Sequence, residues 1–427
     1  MTISQLYECF LACKGVSTDT RQITEGCLFV ALRGDKFDGN QYAKDALAKG
    51  AKYALVDSPE VAVDDRYLLT EDSLKTLQQL AHYHRKQLTI PVVGLTGSNG
   101  KTTTKELIAG VLSKKYNTYA TKGNLNNHIG VPLTLLAIDR SYEIAVVEMG
   151  ANHQKEIEML CRIAEPTHGM ITNIGKAHLE GFGGIEGVRK GKGELFDWLA
   201  ASGGTVFVNG SNDTLRDMAN ERTFKETISY LTGKHAPEML EDSPLIIYRN
   251  ASGASVQTHL TGKYNFENIA AALAIGAYFG VSEQEADEAV STYNPTNNRS
   301  QIIQKGTNTV IMDAYNANPS SMAAAIENFG KLKATHKMVI LGDMLELGDE
   351  SPEEHLALGK LVAQQQFDTV ILAGKLMQDA LPALPKAYYF PDKFSLHNWL
   401  VDHPRQNTHV LIKGSRGMGL ETVVPYL

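Results

Sequence analysis

The chain has 427 residues, 43% of them hydrophobic, and a formal net charge of −7. That length predicts two or three domains, and that composition an ordinary globular chain, not a disordered or fibrous one. The acidic balance excludes general affinity for nucleic acid but not a local basic site for phosphates, and no run approaches the ~18 apolar residues of a membrane span.

Residues 1–89 read as a first α/β unit. Glu8 and Lys14 flank only a short apolar patch, so no export signal is expected. Ile3, Leu6, Phe10 and Leu11 predict an opening helix, with Cys9 and Cys13 on one of its faces. With Cys27 and Cys161 these are the four cysteines; they suggest no disulfide framework and fit a reducing cytosol. A polar segment, Val16 to Arg21, precedes an apolar strand, Cys27 to Leu32. The next stretch, Arg33 to Asn40, sets two glycines among mixed charges, which reads as a ligand-binding loop or a solvated connector. Tyr42 to Gly50 predicts a helix, Tyr53 to Val56 a strand, and Ser73 to Gln87 a helix that Pro91 cuts off.

Residues 90–298 form the second unit, and its opening is the most informative stretch of the chain. Val92, Val93 and Leu95 make a buried strand; Gly97 and Gly100 permit a tight turn; Lys105 to Leu112 has helical spacing. A strand, a glycine turn, Lys101-Thr102 and a helix together make a phosphate cradle. Lys101 would reach the terminal phosphates and the Thr102 hydroxyl would bind Mg²⁺. The glycine spacing, Gly97-x-x-Gly100-Lys101-Thr102, is shorter than the general Walker pattern. The bland alternative is a glycine turn before an ordinary helix.

Farther on, strands alternate with helices, which predicts a mostly parallel sheet. The strand Glu143 to Gly150 carries Glu148 at its C-terminal end, where open α/β sheets bind ligands; a solvated strand-end carboxylate is the plain alternative. Met170 to Ile174 is another strand, followed by His178 and Glu180, neighbours for a metal or phosphate or simply structural groups. The helix Val188 to Leu199 carries Lys190, Lys192 and Glu194, a pattern that is usually a solvated face. Asn265 and Asn268 share one face of a helix's first turn, where amides can read a purine edge or cap the helix. Asn294 to Asn298 is turn chemistry and marks the second boundary.

Residues 299–427 alternate strand and helix again. Val310–Met312, Met338–Leu341, Val370–Ala373 and Val410–Ile412 each run into a polar, often glycine-bearing loop. That predicts a second doubly wound sheet with a shared ligand rim.

The short loop Thr96-Gly97-Ser98-Asn99-Gly100-Lys101-Thr102 resembles that of the Mur ligases and folylpolyglutamate synthetases. Asn126-Asn127 with Ile129 to Pro132, Val147 to Gly150, Ala177 to Glu180, Tyr315 to Pro319, Glu346 to Gly348 and Lys413 to Arg416 occur in order along nearly the whole chain. Jointly they resemble the Mur ligase family, in the branch that adds D-alanyl-D-alanine.

The resemblance implies three α/β domains: a UDP-binding one at 1–89, a central ATP-binding P-loop-type one at 90–298, and a Rossmann-like one at 299–427 that closes over ATP. It implies a cytoplasmic ligase of peptidoglycan precursor synthesis. ATP phosphorylates the terminal carboxylate of a UDP-N-acetylmuramoyl-tripeptide, and the amine of D-alanyl-D-alanine attacks the acyl phosphate. A monomer is expected, with small-molecule partners only.

By position, the resemblance assigns Thr96 to Thr103 to the ATP phosphates, Asn265 and Asn268 to the adenine side, Arg299 to phosphate and Asp313 to ribose. Thr102 and Glu148 would hold one Mg²⁺, His178 a second; Lys192 matches a carbamylated lysine that contacts it, with Lys190 as competitor. Lys101, Glu148, His178 and Lys192 are thus the implied catalytic set. Thr18, Asp19, Thr20 and Arg21 would contact the UDP-sugar, and Asn126 and Asn127 the muramoyl-peptide. Lys413, Ser415 and Arg416 would position the acceptor or the tripeptide carboxylate, while His355 matches a position without a derivable role. Two residues depart from the pattern: Met312 replaces a common second Asp, and Leu420 precedes Glu421 where Met is usual. The rival readings are a sister ligase adding a diamino acid, a folate-extending ligase, and a nucleotide-gated binding protein without turnover.

Overall fold

The computed structural model describes residues 1–234, 236–296 and 298–427. Three α/β units follow one another, each around its own sheet. The first sheet is parallel and four-stranded, in the order Val16–Ser17, Leu28–Val30, Tyr53–Val56, Tyr67–Leu69. The central sheet has six parallel strands in the order Glu226–Tyr230, Thr205–Asn209, His168–Ile171, Val92–Thr96, Ile144–Glu148, Thr118–Ala120. Val92–Thr96 is buried along its full length, because helices cover both faces of a parallel sheet. Successive residues serve opposite faces: Val92 joins Ala145 and Val147 in one apolar cluster, while Val93 and Leu95 join Val146, Ile108 and Ile269 in another.

The C-terminal sheet has six strands in the order Gln301–Lys305, Asn308–Asp313, Thr408–Lys413, His336–Gly342, Thr369–Ala373, Tyr388–Phe390. Sequence periodicity captures the middle four. The two edge strands escape it because an edge strand is half exposed: Gln301–Lys305 alternates and pairs antiparallel with its neighbour. Met312 is fully buried within its strand, so an apolar side chain suits that position.

Three further differences have local causes. The phosphate-loop helix begins at Lys101 and not at Lys105, with Gly100 at φ 80 as its N-cap. Arg33 to Asn40 folds into a two-stranded ribbon, Arg33–Gly34 against Phe37–Asp38, tied down by Arg33 Nε to Asp57 Oδ1 (2.7 Å) and Asn40 Nδ2 to Asp57 Oδ1 (2.7 Å). An antiparallel three-stranded sheet, Glu238–Glu241, Ile247–Arg249 and Ser255–Gln257, interrupts the central unit and is absent from the sequence reading. Of the turn assigned to 294–298, Asn297 lies outside the described residues.

The helix Ser73–Gln87 starts where the Asp72 side chain accepts from Lys75 N (2.9 Å). By chain order it belongs to the first unit, yet it docks that unit onto the second. Tyr7 and His84 share a hydrogen bond (3.0 Å), and His84 Nε2 donates to Ile138 O (2.7 Å). Buried Arg85 donates to Ala164 O (2.8 Å), Leu88 O (2.8 Å) and Glu165 O (3.0 Å), satisfying a helix end that would otherwise lack partners. Arg85→Ala leaves those carbonyls unpaired in a dry interface. We expect a loss of about 3 kcal/mol in urea unfolding, with an unchanged midpoint the contrary result.

Candidate active site

One cleft of about 710 Å³ opens between the central and C-terminal units. Its central wall is the phosphate loop, with Asn126, Asn127, Glu148, His178, Asn265 and Asn268; its C-terminal wall includes Arg299, Asp313, Lys413 and Arg416. The sheet topologies explain this convergence. Both six-stranded sheets present the C-terminal ends of their parallel strands, and the loops that leave them, to the same space.

The loop's tightness is visible at its glycines. Gly97 has φ 146, and a Cβ there would lie 1.9 Å from Thr172 Oγ1; Gly100 has φ 80, and a Cβ there would lie 2.7 Å from Asn268 Oδ1. Lys101 folds back on the loop, donating to Gly97 O (2.7 Å) and Ser98 O (3.2 Å). Removal from water pushes its ammonium down to about 8, with repulsion from Arg299 adding and the Glu148 carboxylate opposing. A triphosphate bound here restores the charge. Above about pH 8, therefore, nucleotide binding must take up a proton, and affinity falls by up to about tenfold per pH unit. Calorimetric titration with a non-hydrolysable ATP analogue in two buffers of different ionisation enthalpy reads that uptake; an affinity flat from pH 7 to well above 8 contradicts it.

Thr102 Oγ1 donates to both oxygens of Glu148, at 3.2 and 3.0 Å, and Asn126 Nδ2 donates to Glu148 Oε1 (2.8 Å). Glu148 is 1% exposed. Among the described residues no three His, Cys, Asp or Glu side chains cluster as metal ligands. One carboxylate beside one hydroxyl, next to a phosphate cradle, fits Mg²⁺, which binds few protein oxygens and shares the phosphates of its substrate. Sequence reasoning missed Lys105, whose buried ammonium lies 3.7 Å from Glu106 and 4.0 Å from Glu148. Its spacing was the available signal: four residues after Lys101 and three after Thr102, it shares their helix face.

His178 sits in the left-handed region at φ 53, before the short helix Leu179–Phe182. Its Nδ1 meets Glu346 Oε2 of the C-terminal unit, and that imidazole holds the Glu346 carboxyl below its usual range. Glu180 is exposed. Lys190 is exposed as well, whereas Lys192 is 1% exposed, donates to Ala151 O (2.9 Å) and lies over the Phe182 ring. Burial, with repulsion from Lys101, drives the Lys192 pKa well below the ordinary lysine value.

The two asparagines form a relay at the cleft. Thr104 Oγ1 donates to Asn268 Oδ1 (3.0 Å), Asn268 Nδ2 to Asn265 Oδ1 (3.1 Å), and Asn265 Nδ2 to Thr261 O (2.9 Å). Across the cleft Lys413 Nζ pairs with Asp313 Oδ2 (2.6 Å). The Arg299 guanidinium stacks 3.6 Å from the Tyr315 ring centre, Arg416 lies 5.0 Å from it on its own approach, and Arg299 Nε is buried without a hydrogen-bond partner. Ser415 lies below the surface, where its hydroxyl accepts from Leu345 N (3.0 Å). Asn127 is committed to its own turn, accepting from Ile129 N (3.1 Å) and Gly130 N (2.9 Å).

Thr96 is wholly buried at the end of its strand and, with Gly97, lies behind the cleft wall. Thr18, Asp19, Thr20 and Arg21 lie in the first unit and do not line this cleft; Asp19 Oδ2 pairs with Arg21 Nη2 (2.8 Å). His355 is fully buried beneath the loop that carries Glu346.

Comparison with known proteins supplies the family. Residues 12–85 match the Mur ligase family, catalytic domain; residues 95–276 the Mur ligase middle domain; residues 298–416 the Mur ligase, glutamate ligase domain. The UDP-N-acetylmuramoyl-tripeptide–D-alanyl-D-alanine ligase of Bacillus subtilis (strain 168) is 36% identical over 438 residues, covering 96% of this chain and 92% of its own. A crystal structure of MurF from Acinetobacter baumannii superimposes with a TM-score of 0.87 at 32% identity, over 99% of this chain and 98% of that one. MurF ligase from Thermotoga maritima in complex with ADP gives 0.85 at 27% identity, over 98% and 97%.

Proposed function

The chain belongs to the Mur ligase family, and from that premise we propose that it joins D-alanyl-D-alanine to a UDP-N-acetylmuramoyl-tripeptide at the expense of ATP. The observation that carries this reading is the single cleft in which a phosphate loop and Glu148 face Arg299, Asp313, Lys413 and Arg416 of a separate unit.

The chemical problem is electrostatic. A carboxylate must approach the γ-phosphorus of ATP, and both partners are anions. Lys101 leaves the two carbonyls that now hold it and pairs with the terminal phosphates. Mg²⁺ held by Thr102 and Glu148 would spread the remaining charge, and a second ion would be held by His178 and a Lys192 carbamate. Arg299, with a free Nε, adds a cation from the opposite wall. The carboxylate oxygen bonds to phosphorus as the bond to ADP breaks. The neutral acceptor amine then adds to the acyl carbon, the C–O bond to phosphate breaks, and one proton leaves the nitrogen to give the amide, which keeps its N–H. Lys413 and Arg416 line the same cleft and would position the acceptor or the tripeptide carboxylate. Asn265 and Asn268 would hold the adenine side; their amides are linked to each other and to Thr104 and Thr261. Thr18 to Arg21 would contact the UDP-sugar on the first unit.

The test is phosphate release measured with each substrate omitted in turn. Release that requires both D-alanyl-D-alanine and the UDP-muramoyl-tripeptide supports the reading. Release driven by a diamino acid and a UDP-muramoyl-dipeptide, or by glutamate and a folate, replaces it with a sister activity; nucleotide binding without release under any combination replaces it with a gated binding protein.

A further inference from the structure

Two residues that are not glycine hold left-handed backbone on either side of the domain boundary, and their side chains touch: His178 at φ 53 and Glu346 at φ 65. Such conformations are uncommon outside glycine, and they persist where the surroundings over-determine them.

The surroundings of Glu346 do so. His355 Nδ1 donates to Ser351 O (2.7 Å), so Nε2 keeps its lone pair and accepts from Met344 N (3.1 Å). The next amide, Leu345 N, donates to Ser415 Oγ (3.0 Å). The residue before them, Asp343, accepts from Leu376 N (3.0 Å) and Met377 N (2.9 Å), and its carbonyl accepts from Ser415 N (3.0 Å). Three consecutive residues are pinned from below, and Glu346 is the next along the chain. On the other side, the segment bearing His178 is pinned to the C-terminal unit by Lys176 N to Ser320 Oγ (3.0 Å) and by the Lys176–Glu354 ion pair.

A histidine that ligates a metal presents one ring nitrogen to it. A carboxylate on the other nitrogen fixes the tautomer and the ring's orientation. Nδ1 is buried in ion-pair contact with Glu346, without hydrogen-bond alignment in this arrangement; the contact occupies that side of the ring and leaves Nε2 for a ligand. The Glu346 side chain comes from a different domain than His178, so this orientation exists only while the C-terminal unit is docked.

We propose that Glu346 is a positioning residue: through His178 it completes the second cation site from across the domain boundary, with His355 and Ser415 holding its loop in place. The proposal rests on the reading of His178 as a ligand of the second cation. It gives the buried His355 a role, and it makes domain docking and second-cation binding mutually reinforcing, since whatever favours one must favour the other.

Mn²⁺ binding to the full chain, with a non-hydrolysable ATP analogue present, tests this by electron paramagnetic resonance titration. Glu346 has 56% of its side chain exposed, so Glu346→Gln perturbs no core packing. We expect Glu346→Gln to weaken the second Mn²⁺ by about 10-fold to 100-fold and leave the first unchanged. In the His178→Ala background the same exchange should add nothing, because the side chain acts only through that ring. An unchanged second affinity in Glu346→Gln, while His178→Ala weakens it, overturns the proposal alone. Losses that multiply in the double variant overturn it too, by giving Glu346 an independent effect. If His178→Ala leaves both affinities intact, the ligand assignment on which it rests fails.

Discussion

Lys101→Ala should cut amide formation by about 10³-fold while leaving the protein folded. The ammonium is spent on loop carbonyls, at 2.7 Å from Gly97 O and 3.2 Å from Ser98 O. Those contacts are local, so their loss costs little stability. The position is different once two anions must meet. No other lysine or arginine springs from the loop itself; Arg299, Lys413 and Arg416 reach in from the far wall. The deficit should therefore fall on kcat as well as on the KM for ATP, because the charge that develops during phosphoryl transfer exceeds that of the bound ground state. Lys101→Arg should not recover the rate: a planar guanidinium does not present the compact point charge that an ammonium brings to the terminal phosphates. Steady-state formation of the amide product decides the matter. A Lys101→Ala enzyme as fast as the unsubstituted one would reduce this loop to a glycine turn before an ordinary helix.

How much of this was legible beforehand follows from what each feature is made of. The phosphate loop was readable because its chemistry is local: glycine conformations, a lysine and a threonine lie within six consecutive residues. The helix Ser73–Gln87 matched its forecast bounds because an Asp cap and a following proline mark its ends in the chain itself. The small antiparallel sheet at 238–257 was not seen, although Asn250 to Gly253 between two apolar-alternating runs is a hairpin signal. Other features are encoded by no neighbour in sequence. Nothing near Glu346 announces that it meets His178, and nothing near Asn318 announces that its amide donates to Asn99 Oδ1 (2.7 Å). Those contacts depend on where one domain rests against another. The same holds for Lys190 and Lys192: periodicity places both on one helix, and only the packing buries one of them.

That burial carries the second large effect. Exclusion of carbon dioxide from enzyme and buffers should lower the rate, added bicarbonate should restore it, and Lys192→Arg should abolish both responses along with about 10²-fold or more of the activity. A lysine attacks carbon dioxide only as the neutral amine: nitrogen bonds to carbon and a proton leaves, giving a carbamate anion. Ordinary lysine is almost wholly protonated at neutral pH, but Lys192 is held well below that range, first by burial and then by repulsion from Lys101. The sign of the pH effect follows. Protonation on lowering the pH removes the nucleophile, so restoration by bicarbonate should slow in acid and quicken as pH rises. The anion, once formed, sits near the Lys101 charge that opposed the ammonium, which reverses repulsion into attraction. Exposed Lys190 has neither the burial nor the neighbour, and Lys190→Ala should change the rate less than about twofold. Carbon-13 bicarbonate gives a direct reading: a carbamate resonance in the unsubstituted protein and in Lys190→Ala, and none in Lys192→Arg. A rate indifferent to carbon dioxide, with no such resonance, would leave Lys192 as a buried amine on the Ala151 carbonyl and remove the carbamate from the second cation site.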